Sequence, residues 1–161
     1  MATIQRQLVN LEILAEDLAS LSSEQYGGEQ HIRLIEEYKE ALEHLSDSAK
    51  PETESGFKKR LTTSTLAHVL ESKQMIGVHL KLIGYVLTFW DANKKANDIL
   101  DTNFGESADK RLELLQVKAI RAKAQLKTVA HAMGQADYQK FIDLLNLRDA
   151  QWQWDVLLSR Y

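Results

Sequence analysis

The chain has 161 residues, of which 44% are hydrophobic and 27% charged, a composition typical of a soluble globular domain with a substantial core. It contains no cysteine, which excludes disulfides and thiolate metal sites and favours a reducing compartment, so we expect a cytoplasmic protein. The net charge of −3 is unevenly divided, because residues 1–56 hold 12 acidic and 4 basic residues whereas residues 57–161 hold 11 acidic and 16 basic ones.

Apolar residues at alternating spacings of three and four predict two helices in the acidic part of the chain, over residues 3–22 and 29–46. Together they form a predicted acidic helical hairpin (1–46). Four carboxylates of the second helix lie mostly toward solvent and are candidates for contact with a charged partner: Glu36, Glu37, Glu40 and Glu43. The polar stretch 46–56, which contains the only proline, predicts a flexible loop.

A long third helix is predicted between residues 58 and 100, with Ser64 or Thr65 as its N-cap. Its segment Met75–Trp90 is apolar on nearly every side, which is typical of a helix surrounded by protein. At 16 residues, and with Lys81 inside it, the segment is too short and too charged to span a bilayer. We therefore expect a buried central helix and no membrane insertion.

Gly77 and Gly84 share one face of this third helix with Thr88. Each glycine costs about 1 kcal/mol relative to alanine in a helix interior, a cost usually borne where another backbone comes close. The pattern therefore predicts a close helix contact at this face. The neighbour is first expected to be a helix of the same chain and second a helix of another chain, which would make a homodimer; a ligand pocket is the third alternative.

A fourth helix is predicted to begin at Ser107 and to end at Gly134, and a fifth is predicted over residues 136–159. The inward face of the fourth helix keeps regular three-four spacing: Leu112, Leu115, Ala119, Ala122, Leu126, Val129 and Met133. Basic residues flank that face on both sides, and four of them are candidates for a charged partner: Lys118, Arg121, Lys123 and Lys127. Their distribution favours solvated flanks or pairing with the acidic hairpin, and contact with a charged protein or with phosphates is the alternative.

Histidines are the best candidates for ligands of a metal ion or a haem, but their positions suit neither a metal ion nor a haem. His68 and His79 lie on one face of the third helix but roughly 16 Å apart, too far to share a metal ion. A haem would need one of them with a ligand from another helix, such as Met133, and nothing specifies that pairing. We therefore interpret both histidines as structural and expect no metal and no cofactor.

The predicted fold is an all-α bundle of about five helices that forms one domain, residues 1–161. No nucleophile elbow, phosphate-binding loop or dinucleotide fingerprint occurs, so we expect no catalytic residues and no enzyme activity. The leading hypothesis is a regulatory or interaction protein that binds a protein partner through a helical surface. The alternatives are a nucleic-acid-associated protein that uses the basic fourth helix (about 110–131) and, third, an enzyme or cofactor-binding bundle.

Overall fold

The computed structural model describes residues 4–48, 73–102 and 105–148, together with Trp154 and Leu157. These residues form helices and turns without any strand, which confirms the predicted all-α bundle. The helices are α1 (Ile4–Ala19), α2 (Glu29–Ser48), α3 (Lys73–Thr102), α4 (Glu106–Met133) and α5 (Gln135–Leu144), with a short 3-10 turn at Ser23–Gln25. None of the described helices is long and apolar enough to cross a membrane.

The helices pack in chain order. α1 packs against α2, α2 packs against α3, and α3 makes the most extensive contact of all with α4, because only residues 103–105 separate these two long helices. α5 then contacts both α4 and α1, which brings the end of the described chain back to its beginning. The predicted N-cap at Ser64 or Thr65 and most of the predicted loop 46–56 lie outside the described residues.

One apolar core joins α1, α2, the first half of α3, the last turns of α4, and α5. Its largest fully buried side chains include Tyr38, Tyr138 and Phe141. Burial raises the pKa of Tyr38 and of Tyr138, because the phenolate form would lose its hydration. Both tyrosines are therefore neutral members of the core at any physiological pH.

Outside this core, the second half of α3 and the first half of α4 extend as a two-helix arm (residues 91–122). The fully buried apolar residues of the arm are all alanines: Ala92, Ala108, Ala119 and Ala122. Alanine buries little area, so the two helices of the arm gain less from apolar burial than the leucine-rich core does. The predicted inward face of α4 is confirmed, since its seven residues are all buried or half-buried.

Two predicted helix ends are wrong. Ser107 does not cap α4, because the helix already begins at Glu106 with Gly105 as the N-cap. The fifth helix ends at Leu144, because Asn146 adopts a left-handed conformation with φ of 57°, and the described residues Trp154 and Leu157 of the predicted range are helical again. Gly134 ends α4 as predicted, with φ of 92° and its N–H donating to the carbonyl of Ala130 at 3.1 Å.

Asn146 also connects the end of α5 to the end of α1. Its side chain is buried, and its Nδ2 donates to the carbonyl oxygen of Leu18 at 2.8 Å and, at 3.4 Å, to that of Leu21. The last carbonyls of an α-helix have no partner within the helix, and that of Leu18 receives this amide in addition to the N–H of Leu21 at 3.3 Å.

His31 makes the matching connection for the start of α2. Its imidazole is buried, and its Nδ1 accepts a hydrogen bond from the N–H of Gly27 at 2.9 Å. Since Nδ1 is the acceptor, the neutral ring carries its proton on Nε2, which donates to the carbonyl oxygen of Leu145 at 2.9 Å. Trp90 packs against the ring edge with centroids 5.2 Å apart. We call His31 and Asn146, with these partners, the polar junction.

The pKa of His31 is lowered from its usual 6.5, mainly because burial disfavours the imidazolium, while the hydrogen bond to Leu145 opposes the shift. Unfolded chains therefore bind a proton on this residue at a higher pH than folded chains do. Neutral His31 therefore makes its full contribution to the free energy of unfolding above about pH 6.5. This contribution decreases as the pH falls from there toward the lowered pKa.

We expect the free energy of unfolding to fall because of His31 as the pH drops below about 6.5, with a slope that stays below the roughly 1.4 kcal/mol per pH unit of one complete proton. Urea unfolding between pH 5 and 8 measures this. The variant His31→Gln should lose this part of the pH dependence, whereas His44→Gln, which changes an exposed histidine of the same helix, should keep it. An unchanged slope in His31→Gln would contradict the assignment.

Replacement of Asn146 should destabilise the fold in two separable steps. Asn146→Gly keeps the left-handed backbone and loses the side-chain hydrogen bonds, at a cost of about 1–2 kcal/mol. Asn146→Ala adds roughly 1 kcal/mol, because a Cβ disfavours positive φ. Chemical denaturation of the two variants measures the difference, and equal stabilities would mean that the conformation contributes nothing.

Candidate interaction surface

The glycine face of α3 is open within the described chain. A Cβ built on Gly77 or on Gly84 meets no heavy atom within 4 Å, and both residues are half-exposed. The same stripe continues through exposed Lys81 and Asp91, and the Thr88 hydroxyl donates back to the Gly84 carbonyl at 2.9 Å. The described helices therefore do not make the predicted intrachain contact, because α2 and α4 cover the other faces of α3. Contact with a second chain stays a prediction.

Because the face is open, we expect Gly84→Ala to raise the free energy of unfolding by up to about 1 kcal/mol through helix propensity. Thermal melts, with sedimentation to record the mass, test this. The corresponding change at exposed Ala132, to glycine, should lower stability by a similar amount and calibrates the effect. A destabilised Gly84→Ala that also sediments as a smaller species would instead indicate a contact between chains.

The structure does not bring the predicted acidic and basic candidates together. α2 packs on α1 and α3, whereas α4 packs on α3 and α5. The ion pairs seen for carboxylates of α2 lie within that helix or reach α3: Glu43 to Lys39 at 3.1 Å, Glu40 to His44 at 3.8 Å, and Glu29 to Lys94 at 3.7 Å. Glu36 and Glu37 are exposed on the same helix.

The four basic candidates of α4 fall into two groups, as their spacing on the helix predicts. Lys118 and Arg121 are exposed, whereas Lys123 and Lys127 are half-buried along the opposite flank. Only the first two therefore present their charge on the open side of the arm.

Of the two histidines considered as ligands, the structure describes one. His79 is buried, and its ring lies 5.4 Å from that of Phe141, in keeping with the structural interpretation. His68 lies outside the described residues. Among the described side chains, no group of three or more histidines and carboxylates is arranged to hold a metal ion. The sequence analysis did not single out His31, whose role depends on Leu145, 114 positions away along the chain.

The sequence analysis also missed an apolar surface on α4. Leu114, Val117 and Ile120 are 70%, 49% and 54% exposed, although each is a large aliphatic residue. Their spacing of three places them along one side of the helix over about two turns. We call these three residues the arm ridge. A second period of apolar residues, offset from the inward face, is the signal that could have revealed it.

Basic side chains border the arm ridge. Lys118 and Arg121 lie one position after Val117 and Ile120, and Lys110 lies one turn before Leu114; all three are exposed, as are two acids of this face, Asp109 and Glu113. A shallow cleft of about 450 Å³ adjoins the ridge between α3 and α4, lined by Lys95, Asp98, Ile99, Arg111, Leu114 and Leu115. The surface is therefore apolar in the middle and basic along the Leu114 side.

Comparisons with known proteins add no family to this description, since the chain matches no protein-family model and gives no significant match among curated proteins or solved structures. The fold and the arm ridge are thus the basis for a functional proposal.

Proposed function

We propose that this protein is a non-enzymatic interaction or regulatory protein, and that the arm ridge binds a protein partner. The observation that carries the proposal is the exposure of three large aliphatic side chains in two turns of one helix. Exposed apolar residues scattered singly are ordinary on a soluble protein, whereas a contiguous group on one face is typical of an interaction site.

The build of the arm supports the same proposal. Alanines are the buried apolar residues of its two helices, the inward leucines Leu112 and Leu115 are only half-buried, and the three residues of the arm ridge point away from the chain's own core. Covering Leu114, Val117 and Ile120 with an apolar partner surface would remove aliphatic area from water at about 25 cal/mol per Å². An amphipathic helix is the simplest element that matches a ridge of this length.

The basic margin of the ridge favours an acidic partner. Lys110, Lys118 and Arg121 lie on the Leu114 side of the ridge, with Asp109 and Glu113 as the opposing charges on the Ile120 side. A nucleic acid would also be attracted by these bases, but it offers phosphates and not an apolar surface to the middle of the ridge. The interleaving of aliphatic and basic residues is therefore the reason to prefer a protein over a nucleic acid as the partner.

A photo-crosslinking residue placed at Val117 should capture a protein in cells of the native source, whereas the same residue at exposed Ala136 on α5 should not. Leu114→Asp with Ile120→Asp should lower the yield at Val117 by about tenfold or more, because two charges replace the apolar contact. Circular dichroism of each variant confirms that it is folded. Crosslinks mainly to RNA or DNA, with steep salt dependence, would favour the nucleic-acid alternative and contradict the proposal.

A further inference from the structure

A second exposed apolar pair lies on α1. Val9 and Ile13 are 50% and 51% exposed and are separated by one helical turn, so they form a short ridge on one face. We call them the α1 ridge. Exposed Glu16 and Asp17 lie beside Ile13, so the margin of this ridge is acidic toward the C-terminal end of the helix. The one base of the described α1, Arg6, lines the cleft that α1 forms with Glu37 and Glu40 of α2.

The α1 ridge and the arm ridge are thus complementary both in apolar contact and in charge. Each has aliphatic side chains in the middle, and the margins carry opposite charges: Glu16 and Asp17 on one, Lys118 and Arg121 on the other. Charges arranged in this way steer two surfaces together and disfavour contact of either ridge with another copy of itself.

Within one chain the two ridges do not meet. α1 packs on α2 and α5, α4 packs on α3 and α5, and the five aliphatic residues of the ridges all stay at least about half exposed. Two complementary surfaces that are separated on one molecule can meet only between molecules, in a head-to-tail arrangement.

We propose that the α1 ridge of one copy docks on the arm ridge of a second copy, so that the protein self-associates head to tail. This inference rests on the proposed function, because it names a second copy of this chain as the protein that the arm ridge binds. The dimer then keeps one unused ridge of each kind, an arm ridge on one copy and an α1 ridge on the other, so assembly continues past the dimer unless the rotation between copies closes a ring.

The contact is small. The α1 ridge offers two aliphatic residues and the arm ridge three, which places the interface below the roughly 1,200–2,000 Å² of stable complexes. We therefore expect weak association that strengthens with concentration. Because the margins are exposed charges, the association should weaken by about tenfold or more between low and high salt.

The test is a charge exchange followed by sedimentation velocity. One variant, Glu16→Lys with Asp17→Lys, makes the α1 ridge basic; the other, Lys118→Glu with Arg121→Glu, makes the arm ridge acidic. Each variant alone carries two ridges of like charge and should sediment as a monomer at concentrations where the wild type associates. An equal mixture should associate again, because the basic α1 ridge of one variant meets the acidic arm ridge of the other.

A matched control separates this effect from that of net charge. Glu24→Lys with Asp47→Lys makes the same change in net charge as the α1 variant at exposed positions outside both ridges and should associate as the wild type does. Three results would overturn the proposal: a wild type that is monomeric at low salt up to about millimolar concentration, single variants that associate unchanged, or a mixture of folded variants that stays monomeric.

Failure of this inference is distinguishable from failure of the proposed function. If self-association is absent but the residue at Val117 still crosslinks a different protein, the arm ridge binds that protein and only the choice of partner is wrong. If neither self-association nor a protein crosslink is found, the proposed function fails as well.

Discussion

A neutral, buried imidazole joins the start of the second helix to the end of the fifth. His31 accepts from the N–H of Gly27 and donates to the carbonyl of Leu145, so one ring joins the start of α2 to the turn after α5. Asn146 follows directly and donates to the carbonyl of Leu18 in the last turn of α1. Once water is excluded, each of these groups needs a hydrogen-bond partner in the protein, because a buried polar atom without one costs about 1–3 kcal/mol. The orientation of the first two helices against the rest therefore depends on this polar junction, and the leucine core around it fills the space that the junction defines.

The two-helix arm (residues 91–122) lies outside the core that surrounds the polar junction. α3 and α4 are longer than the helices that pack on them, so their distal halves, residues 91–122, contact mainly each other. Small alanines let these two helices approach closely, but they cannot cover the aliphatic residues on the outer side of α4. The arm ridge is a direct consequence of that mismatch in length. Its existence links the packing of the bundle to the proposed binding of a protein.

The acidic and basic residues are also divided between separate helices. The excess of acid in residues 1–56 and of base in residues 57–161 suggests internal compensation, yet the helices that carry these charges are separated by α3. Carboxylates of α2 are paired locally, with Lys39 and with Lys94, and exposed pairs of this kind contribute little to stability. The described helices therefore keep a charge asymmetry, acidic on α1 and α2 and basic on α4, which can direct association between molecules at long range.

The helices themselves, the inward face of α4 and the stop at Gly134 were predictable from the sequence, because helical periodicity and glycine end signals act over a few residues. The end of α5 at Asn146, the open side of Gly84 and the role of His31 were not. Each depends on which distant segment lies opposite: Asn146 on Leu18, the glycine face on the absence of a described neighbour, and His31 on Leu145. Local patterns determine that a face is apolar or lacks side chains. Only the tertiary arrangement decides whether another helix covers that face, because coverage depends on helix lengths and packing order across the whole chain.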